Sequence, residues 1–283
     1  MNEIVQREQL SGSIVRLKVS HPKLARKARP GQFVILRVHE DGERFPMTIA
    51  DSDTGAGTVT LVFQVVGKST TLLAQLKEGD RILDLVGPLG MATPIEKFGR
   101  VLCVGGGIGA APLYPIARAL KDAGNEIAAV LGARSKDLLI LEDEFRAMAD
   151  DVRVSTDDGS YGRKGFVTDV IAELLAEGRR FDHAWAIGPV PMMRAVSDLT
   201  RKAGLPTVVS LNPIMVDGTG MCGGCRVLVG GEVKFACVDG PEFDGHLVDF
   251  DTLAKRLSTY RSRESKDLEA CRIGLRPGRP KDA

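Results

Sequence analysis

Cys222 and Cys225 form a C-x2-C pair, Cys237 follows after eleven residues, and Asp217 lies five positions before Cys222. Thiolates clustered in this way hold metals or do redox chemistry, and each possibility makes a different demand on its surroundings. A zinc ribbon needs a second C-x2-C or a histidine pair, whereas His246 is the one histidine downstream. A thioredoxin-like dithiol needs its own βαβ setting and leaves Cys237 without a role. The plant-type [2Fe–2S] spacing is C-x4-C-x2-C…C. This chain reads D-x4-C-x2-C-x11-C, the same scaffold with a carboxylate in the first ligand position. Gly218, Gly220, Gly223 and Gly224 let such a loop wrap closely and turn backbone N–H groups toward sulfur. Asp-Gly is also an ordinary turn dipeptide, which leaves a water or a partner residue as another fourth ligand. Cys271, in the polar tail, is a poor substitute, and Cys103, inside an apolar run, reads as inert core.

A second set of residues suits phosphate. In RFPMTIAD, Arg44 and Thr48 offer a guanidinium and a hydroxyl on an extended segment whose conformation Pro46 restricts. That arrangement fits a phosphate beside a flat ring, and a proline-kinked edge strand would read the same way. VVGKSTTLLAQLKEGD places Gly67, Lys68, Ser69 and Thr70 at the start of a short helix, where free N–H groups and the helix dipole favour an anion. Two phosphate-competent segments in one small unit point to a pyrophosphate cofactor. In VLCVGGGIGAAP, Gly105, Gly107 and Gly109 join an apolar strand to a helix and allow close backbone approach to another pyrophosphate. A plain tight turn is the simpler alternative there.

These motifs sit on three kinds of scaffold. Through about residue 96, SIVRLKVS, GQFVILRV, TVTLVFQVV and DRILDLVGP are short β-rich runs broken by Gly, Pro and Asp, the pattern of an antiparallel barrel. From 97 to 208, apolar strands alternate with helical stretches such as LILEDEFRAMA and GFVTDVIAELLAEG, which implies an α/β domain with a parallel sheet. Residues 209–257 form a small Gly- and Cys-rich C-terminal domain, and 258–283 a polar, basic tail with one helical pattern and an end, RPGRPKDA, expected to be disordered. Charge is nearly balanced, 38 Lys+Arg against 37 Asp+Glu, and gives no electrostatic reason for a nucleic-acid or membrane partner. No apolar run approaches the roughly 18 residues of a membrane helix. MNEIVQREQL has no signal-peptide character, so a cytoplasmic protein with free thiols is expected.

The barrel with R-x-P-[LM]-T, then V-G-K-[GS]-T, GPLG and a GGG-x-G strand–turn–helix resembles the ferredoxin–NADP reductase superfamily over about the first 210 residues. The resemblance implies that the barrel binds FAD. Arg44 would hold its pyrophosphate, Phe45, Pro46, Met47, Thr48 and Ile49 would line the isoalloxazine and ribityl chain, and Gly67 to Thr70 would bind phosphate. Met47 replaces the more usual aromatic or Leu. The nicotinamide nucleotide would enter over Gly105 to Gly109, with Gly188 and Met192 of AIGPVPMMRAV beside the nicotinamide. Arg134 and Lys136 offer cations to an NADP 2′-phosphate; the next loop offers Asp157 and Asp158 but also Arg163 and Lys164, and NAD is preferred.

Barrel, nucleotide domain and [2Fe–2S] loop in that order resemble electron-transfer subunits of the dihydroorotate dehydrogenase B type. With Asp217 in first place, and with RFPMTIAD, GARSKDLLILEDE and CVDGPEFDGHLVDFD, the chain is most similar to the small (alpha) subunits of NADH-dependent ferredoxin:NADP oxidoreductases, also described as sulfide dehydrogenases. That resemblance implies that Asp217, Cys222, Cys225 and Cys237 hold the cluster and that NAD(H) is the nucleotide. It also implies a larger partner that carries FAD and [4Fe–4S] clusters, binds NADPH and ferredoxin, and bifurcates electrons. The alternatives are an electron-transfer subunit of dihydroorotate dehydrogenase B, a hydrogenase diaphorase subunit, or a non-catalytic flavin or iron–sulfur redox sensor.

Overall fold

The computed structural model describes residues 1–274. Among them, six strands make the barrel: β1 (Glu3–Gln9), β2 (Ile14–Ser20), β3 (Phe33–Arg37), β4 (Phe45–Asp53), β5 (Thr58–Gln64) and β6 (Asp84–Leu89). They pair antiparallel in the order β1-β2-β5-β4-β3-β6. The sheet curls closed where the Ile4 N–H donates to the Asp80 carbonyl and the Gly79 N–H to the Ile4 carbonyl, both at 2.9 Å. Alternation drives this: in IVRLKVS, Val15, Leu17 and Val19 point inward and meet Val34, Leu36 and Leu61. Two short helices, α1 (Pro22–Lys27) and α2 (Lys68–Gln75), flank the barrel.

The middle segment is β7 (Arg100–Gly106), α3 (Ala110–Asp122), β8 (Glu126–Ala133), α4 (Glu142–Met148), β9 (Asp151–Thr156), β10 (Arg163–Lys164), α5 (Val167–Ala176), β11 (His183–Ile187), α6 (Val190–Lys202) and β12 (Thr207–Ser210). Its strands are parallel, in the order β10-β9-β8-β7-β11-β12. Leu102, Val104, Ala184 and Ala186 face one helical layer, while Val101, Cys103, Trp185 and Ile187 face the other. Cys103 is fully buried there, and burial pushes its thiol up to about 12, as inert core requires. The helix expected over LILEDEFRAMA is shorter than its pattern suggests, because Leu141 adopts a left-handed φ of 60° and α4 starts only after it.

The cysteine segment contains the hairpin β13 (Arg226–Val229) and β14 (Glu232–Phe235), then β15 (Glu242–Asp244), α7 (Phe250–Leu257) and α8 (Arg261–Gly274). Gly230 and Gly231, both with positive φ, form the two-residue hairpin turn. β15 changes the expected all-parallel sheet. It pairs antiparallel with β12, Glu242 opposite Ser210, so the middle sheet ends in a strand from the cysteine segment. An antiparallel edge strand on a parallel sheet is a common solution when a later segment returns to it. α8 runs back to lie against α2. RPGRPKDA lies outside the described residues, and among those described no helix is long and apolar enough to cross a membrane.

The cysteine segment also packs on the barrel. Phe33 and Ile35 share one apolar cluster with Met215, Cys225, Val227 and Cys237. Gly218 permits the contact: its φ is +75°, and a Cβ would stand 2.8 Å from both Ile35 Cγ1 and Leu89 Cδ1. Gly218→Ala therefore combines a left-handed backbone with overpacking and should cost about 2–5 kcal/mol. Thermal denaturation should show a midpoint lower by several degrees, and an unchanged midpoint would mean that the loop does not rest on the barrel.

Candidate functional site

Chain order in the parallel sheet runs from β7 outward through β8, β9 and β10 on one side, and through β11 and β12 on the other. At such a switch point the loops diverge and leave a crevice at the carboxyl ends of the strands. Here the barrel covers it, forming a cleft of about 1090 Å³. Small-molecule sites usually span roughly 300–1,000 Å³, so the cleft has room for more than one ring system.

The structure brings most of the residues singled out from sequence to this cleft. Pro46, Met47, Thr48 and Thr70 line it from the barrel, Gly107, Gly109, Gly188 and Met192 from the switch-point loops, and Arg134 and Asp157 from the ends of β8 and β9. Ile49 turns into the barrel core and Met47 packs against that core while still bordering the cleft, so strand alternation leaves Pro46 and Thr48 as the more open residues facing it. Arg44 is exposed, and Phe45, Gly67, Lys68 and Ser69 are half-buried, none of them on the cleft lining. The Ser69 hydroxyl donates to Glu43 at 2.8 Å, which brings the start of β4 to the first turn of α2. The two phosphate-competent segments therefore meet. The Thr70 hydroxyl is spent locally: it accepts from the Val66 and Gly67 N–H groups and shapes the helix start.

The glycine loop divides its work. Gly105 is buried inside β7, while Gly107 has a φ of +54° with open space around it. Gly109 serves packing, because a Cβ there would overlap the Ile187 carbonyl oxygen. A side chain at Gly106, on the cleft within the same loop, would overlap Met192 Sδ. Beyond the loop, the Asp157 and Asp158 N–H groups donate to the Ala133 and Arg134 carbonyls at 3.0 and 3.1 Å, holding the two loops side by side. Arg163 is taken up by Glu173 and Asp169, at 2.7 and 3.3 Å, and Lys136 lies over the Tyr161 ring.

Two of the three loop cysteines are paired. Cys225 and Cys237 Sγ are 3.1 Å apart and buried, whereas Cys222 is exposed. Asp217 Oδ2 accepts from the Cys222 N–H at 3.0 Å and Oδ1 from the Thr219 N–H at 2.9 Å. These N–H groups, Thr219 first, hold the Asp217 carboxyl below the usual carboxylate range. Burial and the neighbouring Cys225 thiol push Cys237 up to about 12, so ligation there must displace a proton. Backbone N–H groups of Gly224 and Cys237 approach Cys222 and Cys225 sulfur at 3.4 Å. Among the described residues no three His, Cys, Asp or Glu groups converge as a mononuclear site would need. Four ligands shared by two irons are two apiece, and a carboxylate oxygen that accepts one N–H keeps capacity for a metal. Asp217 with Cys222, and Cys225 with Cys237, would supply the two donor pairs of such a cluster. From α7, Arg256 reaches the Gly224 carbonyl at 3.0 Å and props the loop.

Three family models match successive parts of the chain. Residues 2–93 match the oxidoreductase FAD-binding domain, 103–198 the oxidoreductase NAD-binding domain, and 212–249 the iron–sulfur cluster binding domain of dihydroorotate dehydrogenase B. A Thermotoga maritima protein named as a homolog of the dihydroorotate dehydrogenase B (NAD(+)) electron transfer subunit is 54% identical, with 95% of each chain covered. The Geobacillus thermodenitrificans dihydroorotate dehydrogenase B electron transfer subunit is 37% identical over 85% of this chain and 94% of its own. The chain belongs to this electron transfer subunit family. A chain of the solved NADH-dependent reduced ferredoxin–NADP oxidoreductase superposes with a TM-score of 0.91 at 53% identity, covering 95% of this chain and 97% of that one.

As a member of this family the chain is an oxidoreductase electron-transfer subunit with FAD-binding, NAD-binding and iron–sulfur domains. Pattern reading missed the part of the cleft that comes from Asn212 and Met215, at the entrance to the cysteine segment, and from Pro241, just before β15. No local motif marks these residues; the triple glycine did mark Gly106. Gly109→Ala should force α3 away from β11, at about 1–3 kcal/mol of overpacking. Titration with nicotinamide nucleotide should show weakened binding at unchanged FAD content. Wild-type affinity would show that the loop tolerates the displacement.

Proposed function

We propose that this chain is the NAD(H)-linked subunit of an NADH-dependent ferredoxin:NADP oxidoreductase. Its partner would be a larger subunit with a second FAD and [4Fe–4S] clusters that binds NADPH and ferredoxin. The observation that carries this reading is the full-length likeness to the solved oxidoreductase chain, together with a carboxylate at the first ligand position of the loop. On this reading residues 1–96 hold FAD, 97–208 the nicotinamide nucleotide and 209–257 a [2Fe–2S] cluster.

Bound in these places, FAD supplies the conversion between a two-electron hydride and single electrons, and the cluster supplies a one-electron relay. The chain's own residues position and insulate. Arg44 and the first-turn amides of α2, Lys68 to Thr70, would anchor the FAD pyrophosphate, while Pro46 and Thr48 shape the wall for its ring. Gly107 to Gly109 admit the nicotinamide nucleotide, with Gly188 and Met192 beside its ring. Asp157 at the cleft edge favours a free ribose 2′-hydroxyl over a 2′-phosphate, and Arg163 is already paired; both support NAD(H). Ile108, Ile187, Leu211 and Met215 keep the cleft apolar and exclude water from the hydride path. Asp217, Cys222, Cys225 and Cys237 would hold the cluster. The exposed face of the loop carries Val216, Met221 and Val238, Met221 being 88% exposed, which suits a partner surface at the electron outlet.

The relatives named for dihydroorotate dehydrogenase B support a second reading, in which the partner oxidises dihydroorotate. The purified complex separates the two. NADPH oxidation that needs NAD+ and oxidised ferredoxin together supports the proposal, whereas NAD+ reduction by dihydroorotate supports the second reading. Absence of rapid NADH-to-dye transfer would leave a redox sensor. Cys222→Ser should abolish the cluster's visible absorbance while FAD stays bound. Loss of both chromophores, or of neither, would contradict separate sites.

A further inference from the structure

Glu242 stands on β15 five residues beyond Cys237 and joins parts of the chain that are far apart in sequence. Its Oε1 accepts a hydrogen bond of 2.7 Å from the Thr93 hydroxyl, and its Oε2 accepts one of 3.3 Å from the Trp185 indole N–H. Thr93 closes the barrel segment and is tied back to it by its own N–H, which donates to the Pro30 carbonyl at 2.9 Å. Trp185 lies in β11, beside the switch point and two residues before Ile187 on the cleft. One carboxyl therefore touches the barrel and the nucleotide-site sheet while its backbone belongs to the cysteine segment.

The surroundings are built for this contact. Thr93 and Trp185 are buried, at 5% and 2% exposure, so water does not readily replace either hydrogen bond. Gly31, with a φ of +84°, leaves the space: a Cβ there would overlap Thr93 Oγ1 and approach Glu242 Oε1 to 3.0 Å. Glu242 keeps some surface, but its carboxyl points inward, where burial raises its pKa against the two hydrogen bonds that lower it. Elsewhere the arm from Cys237 to Glu242 is fastened by the Met91 N–H donating to Gly240 at 2.6 Å, the Leu211 N–H donating to Pro241 at 2.9 Å and the Phe235 N–H donating to the Asp239 carboxylate at 2.6 Å, none of which ties it to Trp185.

We infer that Glu242 is a positioning residue that fixes the span between the cleft and the cysteine loop, and so governs the passage of single electrons between them without touching the nicotinamide step. The inference rests on reading the cleft and the loop as flavin and cluster sites. Three variants dissect it. Glu242→Gln keeps the size and both hydrogen-bonding positions, Glu242→Ala removes them, and Thr93→Val removes only the barrel half.

Two readouts apply to the full chain loaded with FAD and cluster. Backbone hydrogen exchange between Cys237 and Glu242 should rise several-fold in Glu242→Ala and return to the wild-type rate in Glu242→Gln. In anaerobic stopped-flow mixing with NADH, Glu242→Ala should bleach the flavin at the wild-type rate but the cluster several-fold more slowly. Glu242→Gln should follow wild type, with Thr93→Val between. Unchanged cluster bleaching in Glu242→Ala, or equal slowing of both phases, overturns the inference. If Glu242→Ala does not load its cofactors, Thr93→Val decides by the same two criteria. Wild-type protein that binds flavin but shows no cluster absorbance would overturn the reading of the loop, and the inference with it.

Discussion

Single electrons pass between redox centres only over short distances, so a thiolate loop that exchanges them with a cleft must be packed against the cleft's own walls. Side chains on both surfaces would hold them apart. The chain removes them at the point of contact: Gly218 lets the loop lie on Ile35 and Leu89, and Gly90 lets β6 reach Pro241 and the Gly240 carbonyl. The apolar cluster that follows runs without a break from Phe33 through Cys225 and Cys237 to the helices behind β7 and β11. The cysteine segment is thus a domain by composition and a shared wall by packing, with β15 completing the neighbouring sheet.

The same logic holds the barrel to the nucleotide segment. Ile14, Ala50 and Val62 belong to one apolar cluster with Ala111, Leu113 and Ile116 of α3. Two ion pairs cross the boundary, Arg118 with Asp51 and Arg16 with Glu144, the latter at 3.0 Å. All four side chains are partly exposed, and such pairs contribute about 0–1 kcal/mol each. Burying a single leucine-sized side chain contributes about 1.5–3 kcal/mol. Apolar packing therefore sets the strength of the joint and the ion pairs set its register. Between these surfaces the switch point leaves the one face where backbone glycines, an apolar wall and a helix start can serve a bound nucleotide.

What was legible in the sequence was local. The inward alternation of IVRLKVS, the strand–glycine–helix order around GGGIG and the cysteine spacing each state their chemistry within a dozen residues. β1 was not legible, because in EIVQREQ only Ile4 is buried and pairing to β2 is made by backbone. β15 is three residues long and means nothing without β12 beside it. In RFPMTIAD the motif was evident but the facing was not: strand alternation sends Ile49 into the barrel and packs Met47 on the barrel core, leaving Pro46 and Thr48 more open to the cleft. The Glu242 junction was beyond pattern reading, since its partners lie 149 and 57 positions away.

On this reading one chain holds a two-electron acceptor and a one-electron acceptor side by side, both filled from a single nicotinamide site. Anaerobic titration of the cofactor-loaded protein with NADH, followed by visible absorbance and by EPR at low temperature, tests this most directly. Two electrons for the flavin and one for the cluster require about one and a half equivalents of NADH per chain. That endpoint is expected, together with a signal from one reduced cluster per chain. An endpoint of one equivalent with no cluster signal would show that the loop and the cleft are not connected as the packing requires.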